Sequence, residues 1–198
     1  RSNGSAFEGD RLNYFGRVGY NYKEKYIAEF LGRYDGSYNF PASSRFGFFP
    51  GVTAGWRISE ENFFKNNVTF IDALKVRGSW GQLGNDQLVY RGVTKNYDYV
   101  PTYSFGTYVA DNAVQSTLFE TVIPNPNITW EVANNYDFGL EGTALNNRLS
   151  FEFDLFWNHR SKILWIRNAS IPQSTGLTLP AENIGKVDNK GYEFKVGY

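Results

Sequence analysis

A carboxylate pair and a lone histidine have the residue types that catalysis uses, but neither indicates a catalytic site. Glu152 and Asp154 could form a carboxylate pair of the kind glycosidases use. However, side chains at i and i+2 lie ~7 Å apart on any strand, so their spacing indicates nothing. His159 is the only histidine and the chain has no cysteine, so a metal site or a general base lacks partner residues. We therefore expect no enzymatic activity, no catalytic residue, no bound metal and no cofactor.

A second group of residues is suited to binding. Aromatic residues lie among Asn, Asp, Thr and Ser within residues 84–129. Besides Phe119, six of them are candidates for substrate contact: Tyr90, Tyr97, Tyr99, Tyr103, Phe105 and Tyr108. Aromatic rings that stack on sugar faces, with polar groups that fix orientation, would suit a glycan. The alternative is that the same rings pack this segment onto its neighbours or onto a partner protein, since tyrosine is enriched at interfaces. The sequence leaves both interpretations open.

Charged residues form a third group, because they alternate with apolar residues along several segments. Eleven of them share this pattern: Arg17, Glu29, Arg33, Lys75, Arg77, Asp137, Glu141, Glu152, Asp154, Glu193 and Lys195. If the segments are strands, each of these side chains lies on the face opposite the apolar one. For any single residue, the simplest role is an ion pair with a neighbouring strand.

The elements that would position these residues are β-strands, because apolar residues recur at a spacing of two. Between Leu149 and Asn158, the odd positions are apolar and the even positions are mostly polar or charged. The same alternation predicts seven strands, at residues 12–22, 26–35, 45–58, 74–81, 132–141, 149–158 and 192–198. Pro50 interrupts the third of these segments and removes one backbone donor. We expect an all-β, antiparallel sheet.

The connections between these strands alternate between short and long. Residues 23–25 and 145–147 are tight turns, and residues 59–72 are expected to hold a short helix at 60–65. Residues 84–129 and 161–183 form long loops, the second with an apolar cluster at 163–166 that includes Trp165. Successive connections of an antiparallel sheet lie at opposite ends. Short turns at one end of the sheet and long loops at the other end are typical of transmembrane β-barrels.

Composition supports a membrane barrel and excludes other classes. Lys and Arg number 20 against 20 Asp and Glu, so no basic excess exists for nucleic acid. Mean hydropathy is −0.45, and no apolar run reaches the ~20 residues of a membrane helix. The aromatic fraction of 18% is high for the core of a soluble sandwich, whereas barrels carry aromatic girdles. A soluble aromatic-rich β protein remains the alternative.

Several segments, in order along the chain, carry a resemblance to a known family. They include YFGRVGYNY (14–22), AGWRISEE (54–61), LKVRGSWGQLGN (74–85), NIGKV (183–187) and NKGYE (189–193). The series resembles the barrel of the SusC/RagA family of TonB-dependent outer-membrane transporters and extends over about residues 14–198. Each piece alone is weak, but the ordered series is specific.

The resemblance implies an antiparallel transmembrane β-barrel segment in the bacterial outer membrane, with long extracellular loops and short periplasmic turns. Barrels of this class have roughly 22 strands, so about seven strands cannot close the ring. An open membrane sheet leaves unpaired backbone groups in hydrocarbon, each costing several kcal/mol. We therefore expect the chain to be a piece of a larger polypeptide, whose plug domain, TonB-contacting segment and remaining strands lie outside residues 1–198.

The resemblance also implies a function and a set of partners. Family members import oligosaccharides or other bulky nutrients, in some cases peptides, after capture by a SusD-like surface lipoprotein. Import is powered by TonB through the plug. In this view the eleven charges face the lumen, the apolar face contacts outer-membrane lipid, and the six aromatics are candidates for substrate contact in an extracellular loop. The alternatives are a soluble carbohydrate-binding β-sandwich or adhesin module, and a passive porin.

Overall fold

The structure is a computed structural model that describes residues 8–90, 93–166 and 179–198. Its described strands are β1 (Arg11–Tyr22), β2 (Tyr26–Ser37), β3 (Phe46–Arg57), β4 (Ile71–Asn85), β5 (Leu88–Tyr90), β6 (Val93–Lys95), β7 (Thr102–Ala110), β8 (Ala113–Val122), β9 (Glu131–Ala144), β10 (Leu149–Ile166) and β11 (Ala181–Gly197). A short 3₁₀ helix (Ile58–Glu60) and helix α1 (Asn62–Asn67) lie between β3 and β4, where the sequence predicts a helix. Neither has the length and apolar character needed to cross a bilayer, and the described residues hold no other helix that does.

Seven strands form one open antiparallel sheet in the order β1-β2-β3-β4-β9-β10-β11. These are the seven segments that the alternating pattern predicts, and the predicted fold class is confirmed. Strands β5 to β8 lie between β4 and β9 in the sequence but form two separate hairpins, β5–β6 and β7–β8. Among the described residues, β1 and β11 are each paired on one side only.

Two tight turns fix the register of the sheet. Lys23 and Glu24 have φ of 52° and 56°, and Leu145, Asn146 and Asn147 have φ of 59° to 60°. Left-handed backbone at consecutive turn residues matches the right-handed twist of the flanking strands. Because a slip of one residue would exchange the two faces of a strand, these turns also decide which side chains share a face.

The structure corrects the predicted boundaries of the last two strands. The sequence predicts a loop at 161–183, but β10 continues to Ile166 and β11 begins at Ala181. Trp165 therefore lies in a strand opposite Glu182 and not in an outer loop. A bulge explains the error, because Lys162 has φ of 58° and pairing resumes at Ile163 opposite Gly185. The extra residue breaks the spacing of two on which the prediction depended.

The long connection at 84–129 also contains more structure than the sequence predicts. Strands β7 and β8 pair along their length and meet at a two-residue turn, Asp111-Asn112, with φ of 51° and 58°. Asp and Asn tolerate this left-handed conformation better than other non-glycine residues. The turn signal is therefore present in the sequence, although the prediction treated the whole segment as a loop.

The buried core of the described residues lies at the loop end of the sheet. Pairing of β3 with β4 stops at Gly51, whereas pairing of β3 with β2 continues to Phe46. Pro50 lies where the two ladders diverge, because it has no backbone N–H to donate. Phe49 fills the gap between the diverging strands: a Cβ placed on Gly84 of β4 would lie 2.0 Å from the Phe49 ring.

Candidate functional site

The eleven charged residues singled out in the sequence share one face of the sheet, which we call the charged face. Cross-strand pairing shows this directly. Lys75, Glu141, Glu152 and Lys195 form one continuous row of paired positions across four strands. Since paired residues point to the same side, the register extends this face from β1 to β11. That the face lines a lumen remains a prediction.

The centre of the charged face is a cluster of ion pairs around Arg77. The guanidinium lies 2.9 Å from Asp137 Oδ1, 2.6 Å from Asp154 Oδ1, 3.2 Å from Glu152 Oε1 and 3.8 Å from Glu141 Oε2. One cation on β4 therefore contacts carboxylates on both β9 and β10. Planar, multidentate contacts of this kind are the geometry that favours arginine over lysine.

Arg77 reaches β10 because the residue between them is a glycine. Gly139 on β9 pairs with Arg77 on one side and with Asp154 on the other. A Cβ at position 139 would lie 2.7 Å from Arg77 Cζ and 2.5 Å from Asp154 Oδ1. Any other side chain at Gly139 would separate the two ions, so this glycine is part of the cluster.

The Arg77 cluster is bordered by two lysines. Lys75 Nζ lies 2.7 Å from Glu141 Oε1, and Lys195 Nζ lies 4.0 Å from Glu152 Oε2. Glu193 lies opposite Asp154, another carboxylate, and it has no ion pair within 4 Å among the described residues. The central part of the charged face therefore neutralises most of its own charge and keeps a small acidic excess.

The charges nearer the β1 edge are more loosely arranged. Arg17 lies 3.7 Å from Glu29, with 69% and 41% of the two side chains exposed. Arg33 contacts Asp35 on its own strand at 3.2 Å. The exposed Arg17–Glu29 pair contributes little stability, so these two side chains can exchange partners with solvent or a bound molecule at little cost. Arg33, in contrast, is paired with a buried carboxylate, because Asp35 is 8% exposed.

The opposite side, which we call the aromatic face, carries rings in two bands. At the turn end, Tyr20, Tyr22, Tyr26 and Trp56 form a series with successive centroids 6.4 Å apart. Towards the loop end, Tyr34 stacks on Phe46 at 5.1 Å and Tyr136 on Trp157 at 5.4 Å. These bands match the two aromatic girdles of membrane barrels, which flank an apolar band ~25 Å tall.

Glu61 lies beside the aromatic band at the turn end and is hydrogen-bonded to two of its rings, Tyr26 and Trp56. Its carboxylate accepts hydrogen bonds from Tyr26 Oη at 2.7 Å, Lys25 Nζ at 3.1 Å and Trp56 Nε1 at 3.3 Å. The Tyr26 hydrogen bond, followed by that from Lys25, lowers the pKa of Glu61 below its usual 4.5. Nearby, the hydrogen bond from Lys65 lowers the pKa of Glu60 in the same way. The Glu61 carboxylate thus ties the helix segment to the first hairpin.

We expect Glu61→Gln to lower the thermal midpoint of the full-length protein at pH 7 and to reduce the dependence of that midpoint on pH. Because the folded pKa is depressed, the stabilisation is complete above the unfolded pKa and is lost as pH falls through the folded value. Thermal unfolding between pH 3 and 7 measures both effects. Glu24→Gln is the control, because that carboxylate is 83% exposed and 4.0 Å from Arg57. Equal effects of the two substitutions would contradict the assignment.

The outer loops are held together by a compact group of buried side chains, which we call the outer-loop core. Phe40, Phe49, Ile128 and Trp130 form it, and Tyr99 packs against it. Hydrogen bonds join the same segments: Ser44 Oγ donates to the Ile128 carbonyl at 2.7 Å. The connection between β2 and β3 is therefore packed against the segment that leads into β9.

A second tie between the outer loops lies around Asn183 and Asp86. Asn183 exchanges two hydrogen bonds with the backbone of Thr129, at 3.0 and 2.7 Å. Asp86 Oδ2 lies 2.8 Å from Arg11 Nε and accepts a hydrogen bond from the Ser37 hydroxyl at 2.7 Å. No pattern in the sequence marks Asp86, because the partners of a loop aspartate depend on long-range contacts.

The structure separates the six aromatic residues predicted to contact substrate. Tyr97 Oη donates to the Glu8 carbonyl at 2.6 Å, and the Tyr97 ring lies 5.4 Å from that of Tyr38. Loss of hydration raises the pKa of Tyr97. Tyr99 Oη donates to the Tyr38 carbonyl at 3.4 Å. These two rings pack the loops, as the alternative interpretation describes. Tyr90 lies at the end of β5, and its side chain is outside the described part.

The remaining three aromatics lie on the β7–β8 hairpin and are exposed. Tyr103 and Phe105 point to one side, together with Val109, Val114 and Leu118, whereas Tyr108 points to the other. Phe105 is 88% exposed, Val109 72% and Val114 70%. The same side also carries Thr107, Ser116 and Glu120. Its apolar side chains have no cover among the described residues. An isolated two-stranded hairpin is marginal in water, so the exposed side is suited to contact with a partner.

The chain is similar to known proteins over most of its length. The sequence model of a family described as "TonB dependent receptor-like, beta-barrel" matches residues 2–198. TonB-dependent receptor P26 of Formosa agariphila is 33% identical over 189 residues, which cover 93% of this chain and 18% of that protein. TonB-dependent receptor SusC of Bacteroides thetaiotaomicron is 31% identical and is likewise covered for 18% of its length.

Solved structures give the same result. The RagAB peptide importer matches at a TM-score of 0.77 in its "open-open" state and 0.75 in its "closed-closed" state, with 25% identity over 94% of this chain and 19% of the matched chain. The siderophore receptor PirA of Pseudomonas aeruginosa, at 13% identity and a TM-score of 0.58, shares the fold. The chain thus spans about a fifth of the length of its relatives. It belongs to the TonB-dependent receptor-like β-barrel family, and it is part of an outer-membrane barrel.

Proposed function

We propose that the chain is part of the barrel wall of a TonB-dependent transporter that imports oligosaccharides or other bulky nutrients such as peptides. A SusD-like surface lipoprotein assists this import. The observation that carries the proposal is the separation of one sheet into a charged face with paired ions and an aromatic face with two girdles. A wall between a wet lumen and lipid needs both faces.

The charged face suits a lumen wall. Its eleven predicted residues share one side of the sheet, and the Arg77 cluster fixes the strands β4, β9 and β10 relative to one another. Self-neutralised charges keep the passage hydrated without binding one sign of solute tightly. We assign Arg17 and Glu29 to the more adaptable part of that wall, because their ion pair is exposed.

The rest of the barrel is assigned to chain outside residues 1–198. The seven-stranded sheet leaves β1 and β11 with an open side among the described residues, and a barrel of this class needs roughly 22 strands. In a bilayer the open sides must pair, since hydrocarbon offers no hydrogen bonds. We propose that neighbouring strands of the same barrel provide that pairing and that a plug domain contacts TonB.

The β7–β8 hairpin is the surface that we assign to the lipoprotein. It lies in the long connection between β4 and β9, at the end of the sheet that is extracellular in barrels with this arrangement of loops. Its exposed apolar side needs a cover, and a lipoprotein seated over the loops would supply one. The matched RagAB peptide importer is described in an 'open-open' and a 'closed-closed' state, which supports a part that opens and closes on the transporter.

We expect the double substitution Phe105→Asp and Leu118→Asp to weaken capture of the lipoprotein by at least tenfold. Burial of each apolar side chain contributes about 1.5–3 kcal/mol, and the new carboxylates must be desolvated. Co-purification of the full complex from outer membrane, followed by affinity measurement, tests this. The control is Tyr108→Asp with Gln115→Asp, which changes the other side of the same hairpin. Loss in the control alone would contradict the assignment.

Transport itself is tested in cells that express the full transporter as their only copy. Uptake of labelled oligosaccharides and of labelled peptides of equal mass is compared, with and without TonB. We expect uptake of one of the two classes, and we expect it to stop without TonB. Uptake that continues without TonB would instead indicate a passive porin. No uptake of either class would overturn the proposed substrates.

A further inference from the structure

The aromatic face is almost free of charge, and its exception is one small region. In the described strands of the seven-stranded sheet, charged side chains on this face lie on β11, at Lys186, Asp188 and Lys190, with His159 beside them on β10. The alternation of β11 places the three in one line, because the extra residue of the bulge belongs to β10. Elsewhere the same face is mostly apolar, and its amide side chains Gln82 and Asn134 are hydrogen-bonded to each other at 2.8 Å.

The position of this region along the barrel suits a charged group. His159 lies ten residues beyond Leu149, the first residue of β10 at the turn end. At ~3.3 Å per residue and a tilt of about 45°, this places it roughly 23 Å from the turn end, near the outer limit of an apolar band ~25 Å tall. Cations on the lipid side of a barrel are costly at mid-depth and nearly free of cost at the interface.

Within this region the Asp188 carboxylate has hydrogen-bond partners, whereas the two lysines have no ion pair within 4 Å in the described part of the chain. Asp188 Oδ1 lies 2.7 Å from His159 Nδ1 and accepts a hydrogen bond from Trp157 Nε1 at 3.1 Å. In contrast, Lys186 and Lys190 are exposed. The region therefore carries two lysines beside one carboxylate, Asp188, which also interacts electrostatically with Lys190. Its charge is positive overall when His159 is neutral.

An apolar groove lies next to these lysines on the same face. Its volume is about 820 Å³, and Tyr136, Phe138, Leu155 and Trp157 provide apolar lining, with Asp188 and Lys190 at its edge. Gly78 also lines the groove, and the only atom within 4 Å of a Cβ placed there is the Asp137 carbonyl oxygen, at 3.9 Å. The absence of a side chain at Gly78 thus keeps the groove open.

We propose that this groove and its two lysines form a binding site for one membrane lipid with a phosphate head group. An acyl chain lies in the groove, and the phosphate lies beside Lys186 and Lys190. The inference rests on the proposed contact of the aromatic face with lipid and adds to it a specific site and a head-group charge. The two lysines favour an anionic head group over a zwitterionic one, since lysine binds phosphate as a point charge.

The first test uses the full transporter, purified and stripped of lipid by detergent exchange. Phosphatidylglycerol in mixed micelles is titrated in, and bound lipid is counted by native mass spectrometry. We expect K186Q/K190Q to weaken binding about 25-fold, at roughly fivefold for each lysine near the interface. The control K23Q/K65Q removes the same charge at the turn end and should bind as the parent does.

Further arms of the titration decide between sources of the phosphate contact. Phosphatidylcholine should bind more weakly than phosphatidylglycerol, and inorganic phosphate should not compete with the lipid at equal concentration. Competition by free phosphate would replace the lipid site with a simple anion site. Equal binding of the two lipids, or an unchanged affinity in K186Q/K190Q, would overturn the proposal.

A second variant tests the groove independently of charge. Gly78→Val places a side chain in open space on the groove wall and suits a strand. We expect it to reduce binding of phosphatidylglycerol at least fivefold while both lysines remain, and unchanged binding would contradict the acyl-chain position. Uptake should be retained in both variants. If the parent binds lipid but fails to import either nutrient class, the lipid site stands and the proposed function fails.

Discussion

Phe40→Ala is expected to destabilise the outer loops by about 3–5 kcal/mol, the range for loss of a large aromatic from a packed core. Phe40 is fully buried, and its ring lies 5.1 Å from that of Trp130. Its removal leaves a cavity between the connection that follows β2 and the segment that leads into β9. Because the core is local, we expect the loops to open while the sheet persists.

Hydrogen exchange and limited proteolysis of the full transporter measure this effect. We expect faster exchange around residues 37–45 and 123–130 and little change in β9 to β11. The matched control is Phe105→Ala, which removes the same side chain at a position that is 88% exposed. Its effect on stability should stay within about 0.5 kcal/mol. Equal effects of the two substitutions would show that the outer-loop core does not hold the loops.

Arg77→Met has the largest expected effect on the sheet itself. It removes the cation shared by Asp137, Glu152 and Asp154 and leaves their carboxylates close together. Breaking a buried pair costs about 3–5 kcal/mol, and we reduce this to roughly 2–3 kcal/mol because the side chains are partly exposed. Denaturant unfolding of the full transporter in lipid vesicles measures the change in the free energy of unfolding.

Two further variants separate the Arg77 cluster from charge loss in general. Arg17→Met removes an arginine whose carboxylate partner is 3.7 Å away and exposed, so its cost should be below about 1 kcal/mol. Adding Asp154→Asn to Arg77→Met should recover part of the stability, because one uncompensated carboxylate is then neutral. If Arg77→Met and Arg17→Met lower the free energy of unfolding equally, the Arg77 cluster makes no special contribution to the stability of the sheet.

These expectations assign different roles to residues that looked alike in the sequence. Tyr97 and Tyr99 hold loops together, whereas Phe105 is exposed on a hairpin. Arg77 bridges three strands, whereas Arg17 is loosely paired. The six aromatics therefore do not form one contact surface, and the eleven charges are not equivalent. Contact of the aromatics with substrate remains a prediction for all six.

The sequence by itself determined the strands and the two faces, because side-chain direction in a strand alternates strictly with position. Leu155 and Trp157 could be placed opposite Glu152 and Asp154 without coordinates. The tight turns at 23–25 and 145–147 were readable as breaks between alternating runs. The ordered motifs from residue 14 onwards indicated the family, which the comparisons confirm.

Only the tertiary structure decided which residues meet across strands. The bulge at Lys162 moved Trp165 from an expected loop into β10, since one extra residue breaks the spacing of two. Gly139 became part of an ion cluster because it lies between Arg77 and Asp154, which are 77 positions apart in the sequence. The groove beside Lys190 likewise joins β4, β9, β10 and β11. Spacing fixes the face on which a side chain lies, whereas register and loop packing fix its neighbours.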